Sequence, residues 1–337
     1  MSADCEISVA IPGQDPKWPP FRPGTPRYDQ TTFYGRLRHF IDVTDPTTLF
    51  TSQAKLDKSL KLIDDFKQGT LDSSVTNEEL WRAQKIKTAM IHPDTGKKIF
   101  IAFRMSGYAW FGSPIATAIL VPGLTLPQTV FWQWMNQTKN ACVNFANRNA
   151  SKPTPMKRFL LGYTGAITTS CSIAVGLTVL IRRANSWSYA KKMLVQKFVP
   201  FPAVTCASVC NVLLMRNNEL FEGVAVFKKN GEVIGVSKKA ARQGLEKTAI
   251  SRAVLAAPVL LVPPIGMALL EKTSLLKRRP RFHLAFNAFF VTFAFAAALP
   301  VSLALFPQIS KIHRSSLEQE IQQSAGDEEV LYFNKGL

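Results

Sequence analysis

Charge is scarce in this sequence, and the shortage is patterned. Only 19% of its 337 residues are Asp, Glu, Lys or Arg, and five stretches (105–138, 159–181, 198–215, 253–270 and 282–310) contain none of them. Acidic residues are the scarcer sign, 23 against 41 basic ones, for a formal charge of +18. The mean hydropathy of +0.04 hides two populations, one uncharged and one crowded with charge. Uncharged stretches of this length, repeated five times, exclude a soluble domain, a disordered chain and a disulfide scaffold. The five cysteines, Cys5, Cys142, Cys171, Cys206 and Cys210, are an odd number, and three lie inside uncharged stretches, so structural disulfides are not indicated. The sequence offers no Ser/His/Asp order, no paired carboxylates and no metal-ligand cluster, so we expect no enzyme activity, no cofactor and no metal. The first 27 residues carry six prolines with Asp4, Glu6 and Asp15, and lack the apolar run of a secretory signal. Nucleic acid is excluded as a partner, because the basic residues crowd short connections such as Arg182–Arg183 and Arg278–Arg279, where they face lipid headgroups.

What is present is enough apolar sequence to cross a bilayer repeatedly, since a core about 30 Å thick needs roughly 20 helical residues. The expected architecture is all-α, a multi-span helical membrane protein with about five spans near 105–122, 159–181, 195–215, 252–270 and 284–306. The segment 126–149, apolar but increasingly polar, is expected to lie at the interface or line a cavity. Five spans put the termini on opposite sides, and the positive-inside rule places the N-terminus on the cytoplasm-like side. Ahead of the spans we expect a mobile Pro-rich leader, 1–27, and a small helical domain, 28–104. In that domain Leu56, Leu60, Ile63 and Phe66 recur at helical spacing before Gly69, and Thr76 with Glu79 has the capping-box form. Between the third and fourth spans, valines flank Asn230-Gly231, the signal of a short β-hairpin, and Ser237 can cap the helix after it. A tail, 311–337, follows the last span.

The candidate functional residues are polar groups placed among apolar ones. Asn136, Asn140 and Asn144 fall at i, i+4 and i+8 of one helix, with Asn147 beside them. Thr164, Thr168 and Ser172 make a second stripe, and Thr205, Ser208 and Asn211 a third. Carboxamides are costly in a bilayer unless paired with protein or facing water. The stripes therefore either join helix to helix or line a solute path, where an amide can meet both a carboxylate and an ammonium group. Pro258, Pro263 and Pro264 lie inside a span, and such breaks are tolerated where they line a cavity. His92-Pro93-Asp94-Thr95-Gly96 has turn composition; its functional alternative is a gate in which His92 and Asp94 contact solute.

These residues carry a resemblance. The stretches Tyr28 to Phe40, Thr44-Asp45-Pro46, His92 to Gly96, Trp132 to Gln137, Asn140 to Asn144, Ser251-Arg252, Pro263-Pro264 and the terminal Phe333 to Leu337 resemble the sideroflexins, over nearly the whole chain. The resemblance implies a multi-pass protein of the mitochondrial inner membrane that transports small amino acids, serine foremost, in support of one-carbon metabolism. Tricarboxylates such as citrate are associated with the branch that this sequence resembles most. The family name suggests iron, yet no uncharged stretch has an Asp or Glu and only His283 sits at an edge, so a ferrous path lacks ligands and indirect effects on iron fit better. A zwitterion is favoured over citrate because the spans hold no Lys or Arg, leaving Lys139, Arg148 and Arg252 to meet several carboxylates. The expected partners are thus a small solute, an amino acid or citrate, and membrane lipid. The competing class is a non-transporting scaffold for inner-membrane complexes, which would need neither polar stripes nor in-span prolines.

Overall fold

The computed structural model describes residues 18–93, 95–121, 123–147, 156–183, 188 and 200–336. Asp94, and residues 1–17 of the expected leader, lie outside them. From Trp18 onward the leader is docked rather than mobile. Phe21 is buried against Phe66 and Trp81, its amide donates to Asn77 Oδ1 at 2.9 Å, and Trp81 Nε1 donates to the Pro19 carbonyl at 2.8 Å. Sequence proximity hid this, because prolines that forbid helix still present their carbonyls and rings to a partner.

The N-terminal domain is helical: α1 (Phe33–Val43), α2 (Gln53–Gln68) and α3 (Asn77–Met90). Helix α2 starts on Ser52 and ends on Gly69 at φ 71°, and α3 starts on the Thr76–Glu79 capping box, so both boundaries follow from side-chain and glycine chemistry. Their apolar faces meet through Leu56, Ile63, Leu80, Ile86 and Met90, all buried.

Six longer elements follow: α4 (Tyr108–Ile119), α5 (Leu126–Ala146), α6 (Met156–Arg183), α7 (Pro200–Met215), α9 (Lys238–Glu271) and α11 (His283–Ala304), with the short α8 (Asn217–Glu222) and α10 (Ser274–Arg278) between them. Each packs on the next, and α11 returns to pack on α4, closing a ring. Three of the six are long and apolar enough to cross a membrane: Phe159–Leu180 within α6, then α9 and α11. The chain is therefore a helical membrane protein. The first expected span differs, since α4 has 12 residues and reaches only about 18 Å. Helix α5 has 21 residues, about 31 Å, but is too polar to resemble a lipid-facing span. Helix α9 runs unbroken through Pro258, Pro263 and Pro264, contrary to the expected break. Neighbouring helices hold its course, while the carbonyls of Val259 and Leu260 lose the amides that Pro263 and Pro264 lack. Small residues draw the ring tight: a Cβ on Gly162 of α6 would come within 2.7 Å of the Leu214 carbonyl oxygen of α7.

The β-hairpin is present as β1 (Val224–Phe227) and β2 (Val233–Ser237), with Gly231 at φ 87° in the turn. It belongs to a larger sheet. The tail supplies β3 (Ile309–His313) and β4 (Val330–Asn334), joined through α12 (Gln319–Ser324), giving the antiparallel order β2-β1-β4-β3. Alternating burial in both tail strands leaves Ile312, Leu331 and Phe333 in a core with Val226 and Leu317.

This sheet and the N-terminal domain share one end of the ring. Arg36 of α1 donates from Nε to the Ala304 carbonyl at the end of α11 at 2.8 Å. At the same end, Arg216, just past α7, donates to the Lys335 carbonyl at 2.7 Å, and Asn147, just past α5, donates to the Phe103 carbonyl ahead of α4 at 2.8 Å. The far end holds the Glu271–His283 pair at 3.2 Å. The chain thus enters and leaves the ring at the same end. The expectation of termini on opposite sides counted five passes and no return by α5, which here runs the length of the ring between α4 and α6.

Candidate solute cavity

The ring lines a partly open cavity of about 80 Å³, room for several waters at about 10–15 Å³ each. Its walls come from α4 (Tyr108, Ala116, Ile119), α5 (Asn136, Asn140, Asn144), α7 (Val204, Ser208, Asn211, Val212), α9 (Arg252 to Leu260) and α11 (Phe295). The amide stripe predicted from spacing faces inward, which follows from 3.6 residues per turn once one asparagine does so.

Hydrogen bonds connect the wall into one network. Tyr108 OH donates to Asn140 Oδ1 at 3.1 Å and accepts from Arg252 Nη1 at 3.0 Å, while Arg252 Nη2 donates to Asn144 Oδ1 at 3.2 Å. Asn144 Nδ2 reaches Asn211 Oδ1 at 3.5 Å, Asn211 Nδ2 donates to Gln137 Oε1, Gln137 Nε2 donates to Ser170 Oγ at 3.0 Å, and Ser170 donates to Gln133 Oε1 at 3.0 Å. Beneath Tyr108, Lys139 Nζ donates to its backbone carbonyl at 2.9 Å and sits 3.5 Å from its ring centroid and 5.5 Å from that of Phe295. Gly112 leaves room for that amine, since a Cβ there would lie 2.6 Å from Nζ. The Asn136 side chain makes no hydrogen bond to any described residue, so its amide is open to the cavity.

The cations extend toward the tail. Lys335 is 3% exposed, and burial, followed by repulsion from Arg216, Arg252 and Lys247, lowers its amine from 10.5 to about 8. Arg216 is paired with Glu219 at 2.7 Å. No Asp or Glu lines the cavity, and the described residues contain no group of three or more His, Cys, Asp or Glu that could hold a metal ion.

The structure separates the predicted site residues. Asn136, Asn140 and Asn144 come together, but Asn147 leaves the stripe: its Nδ2 donates to the carbonyls of Phe103 and Val143 at the end of α5. Thr164, Thr168 and Ser172 face outward on α6, and Thr164 bonds back to the Leu160 carbonyl. Their spacing identified a face, but not which way the face turned; Ser170, two residues away and so nearly opposite, is the α6 residue in the network. His92 is buried in its turn, accepts from the Thr95 amide on Nδ1 at 3.3 Å and is not among the residues that line the cavity. Pro263 is buried in α9, with Val259 and Leu260, whose carbonyls it and Pro264 release, on the cavity wall. Gln133, Gln137, Ser170 and Tyr108 escaped the sequence reading; a glutamine pair at i, i+4 alongside the asparagine stripe was the available signal.

A family model described as "Sideroflexins" matches residues 22–337. The chain belongs to the sideroflexin family. Human sideroflexin-5 is 54% identical, covering 95% of this chain and 94% of its own length. Sideroflexin-5 of Caenorhabditis elegans is 47% identical, covering 96% and 97%; human sideroflexin-3 is 39% identical, covering 93% and 96%. No solved structure matches the chain.

Proposed function

We propose that this sideroflexin is a mitochondrial inner-membrane transporter of small solutes, serving one-carbon metabolism by carrying small amino acids of the serine type. The observation that carries the reading is the amide-lined cavity set within the helical ring. A scaffold has no use for a water-sized polar space at that depth, where each unmet polar group costs free energy. Donors and acceptors suited to a zwitterion lie around it: the guanidinium of Arg252, the open amide of Asn136, and the carbonyls of Val259 and Leu260 freed by Pro263 and Pro264. In this reading the six ring helices all traverse the bilayer, α4 and α5 together as a short and a polar pass shielded by their neighbours.

Lys139 and Arg252 favour a second reading. Both lie just outside the uncharged stretches yet converge on Tyr108, so the interior is richer in cations than the spans alone imply, and citrate is the alternative cargo. Uptake of labelled serine, alanine and citrate by liposomes containing the purified protein tests both. Saturable serine or alanine uptake supports the first reading, citrate uptake alone supports the second, and no uptake of any by folded protein leaves the scaffold.

A further inference from the structure

Arg252 presents an anomaly that membrane physics makes informative. Its guanidinium is held by two neutral oxygens, Tyr108 Oη at 3.0 Å and Asn144 Oδ1 at 3.2 Å, and among the described residues it forms no ion pair. A cation within a helix bundle ordinarily finds an acidic partner or faces an aqueous path. Arg252 borders the cavity, the lining has no carboxylate, and the nearby bases Lys139, Lys247 and Lys335 form no salt bridge with any described residue either. Arg216, the one member of this group with an acid, shares Glu219 with no other. The field at this end of the cavity is therefore uncompensated and positive.

We propose that Arg252 is the carboxylate-binding residue of the cavity, its missing counter-ion being the carboxylate of the transported solute. The proposal deepens the transport reading and rests on it for the word "transported" alone. Tyr108 and Asn144 fix the guanidinium plane from one side, leaving its remaining N–H groups for a ligand. Lys139 acts as a positioning residue, because its contact with the Tyr108 ring and carbonyl holds the phenol that orients Arg252. A solute of net positive charge, an amino amide or a polyamine, meets only repulsion here.

The test uses the full-length protein purified in detergent, with ligand-induced change in melting temperature as the binding readout and liposome uptake as a separate one. L-Serine and lactate share a carboxylate; L-serinamide keeps the amine and hydroxyl of serine without it. Serine and lactate should raise the melting temperature and serinamide should not. Arg252→Gln should abolish both shifts and raise the KM for serine uptake at least tenfold with kcat less affected, Arg252→Lys should fall between, and Arg242→Gln, the same charge removed from an exposed position, should match wild type. Equal stabilisation by serinamide and serine, serine shifts retained in Arg252→Gln, or no carboxylate-dependent shift in the wild type would each overturn the assignment. If Arg252→Gln does not fold, the wild-type comparison of the three ligands and Arg252→Lys still decide. Carboxylate binding that depends on Arg252 without uptake of any solute would refute the transport reading and leave the anion site standing.

Discussion

Replacing Lys335 with Met should strengthen the docking of the tail sheet on the helical ring. The wild-type amine is buried, among Arg216, Lys247 and Arg252, and its affinity for a proton is lowered from 10.5 to about 8. Because a tenfold change in proton affinity corresponds to about 1.36 kcal/mol, keeping that charge in place at pH 7 costs the folded tail about 3 kcal/mol. The sign follows from proton counting. Below pH 8 both folded and unfolded states hold the proton and the cost is complete; between about 8 and 10.5 the folded state releases it first and stability rises with pH; above 10.5 neither state carries it. Met keeps the apolar stem and removes the charge. Hydrogen-exchange protection factors for Val330–Asn334, measured on both proteins from pH 7 to 10, should therefore be higher in Lys335→Met at pH 7, by a free energy of about 3 kcal/mol as an upper figure, and the two should converge toward pH 10. Reduced protection in the variant at pH 7, or a difference that does not shrink as pH rises, would refute the reasoning and show that the amine has found a stabilising partner.

Other expectations follow from the same geometry. Asn136→Ala should lower uptake per folded molecule severalfold with folded yield unchanged, since Asn136 faces the cavity without a hydrogen bond to any described residue, whereas Asn144→Ala should lower both, because Arg252 and Asn211 each lose a partner at about 1–3 kcal/mol; uptake normalised to folded protein separates them. Gly162→Ala should destabilise by about 1–3 kcal/mol through overpacking against the Leu214 carbonyl, while Gly176→Ala, with nothing within 4 Å, should be near neutral in detergent melting curves. Tags on the two termini should share one compartment in protease protection of mitoplasts; protection of one tag alone would break the six-pass reading.

The parts of the fold that sequence made legible are those set by local chemistry. The Thr76–Glu79 capping box, the Gly69 stop, the Asn230-Gly231 turn and the Ser237 cap all appear where residue types required them. Tertiary direction was less visible. The carboxamide spacing put Asn136, Asn140 and Asn144 on one face, and that face does line the cavity; the same spacing rule applied to Thr164, Thr168 and Ser172 selected the outward face of α6, where a hydroxyl bonded to its own helix carbonyl, as that of Thr164 is, can tolerate lipid. The tail strands were recoverable from the alternation in Ile309–His313 and Val330–Asn334, but strands that pair with a hairpin 100 residues earlier leave no local mark of their partner. Arg252 was visible only as a charge next to a span, since nothing in its neighbourhood along the chain announces Tyr108, 144 positions away.

The closure of the ring has a consequence for biogenesis. The last helix of the ring, α11, completes the wall only when it meets α4, and Arg36 grips its end across 268 residues of chain. Until α11 is inserted, the gap between α4 and α9 is unfilled, and Tyr108, whose hydroxyl joins Asn140 to Arg252, lacks Phe295, its ring neighbour at 5.5 Å. A nascent chain stalled before His283 would therefore leave the polar wall of the cavity open along one side, the kind of surface by which membrane quality control could distinguish an unfinished molecule from a finished one.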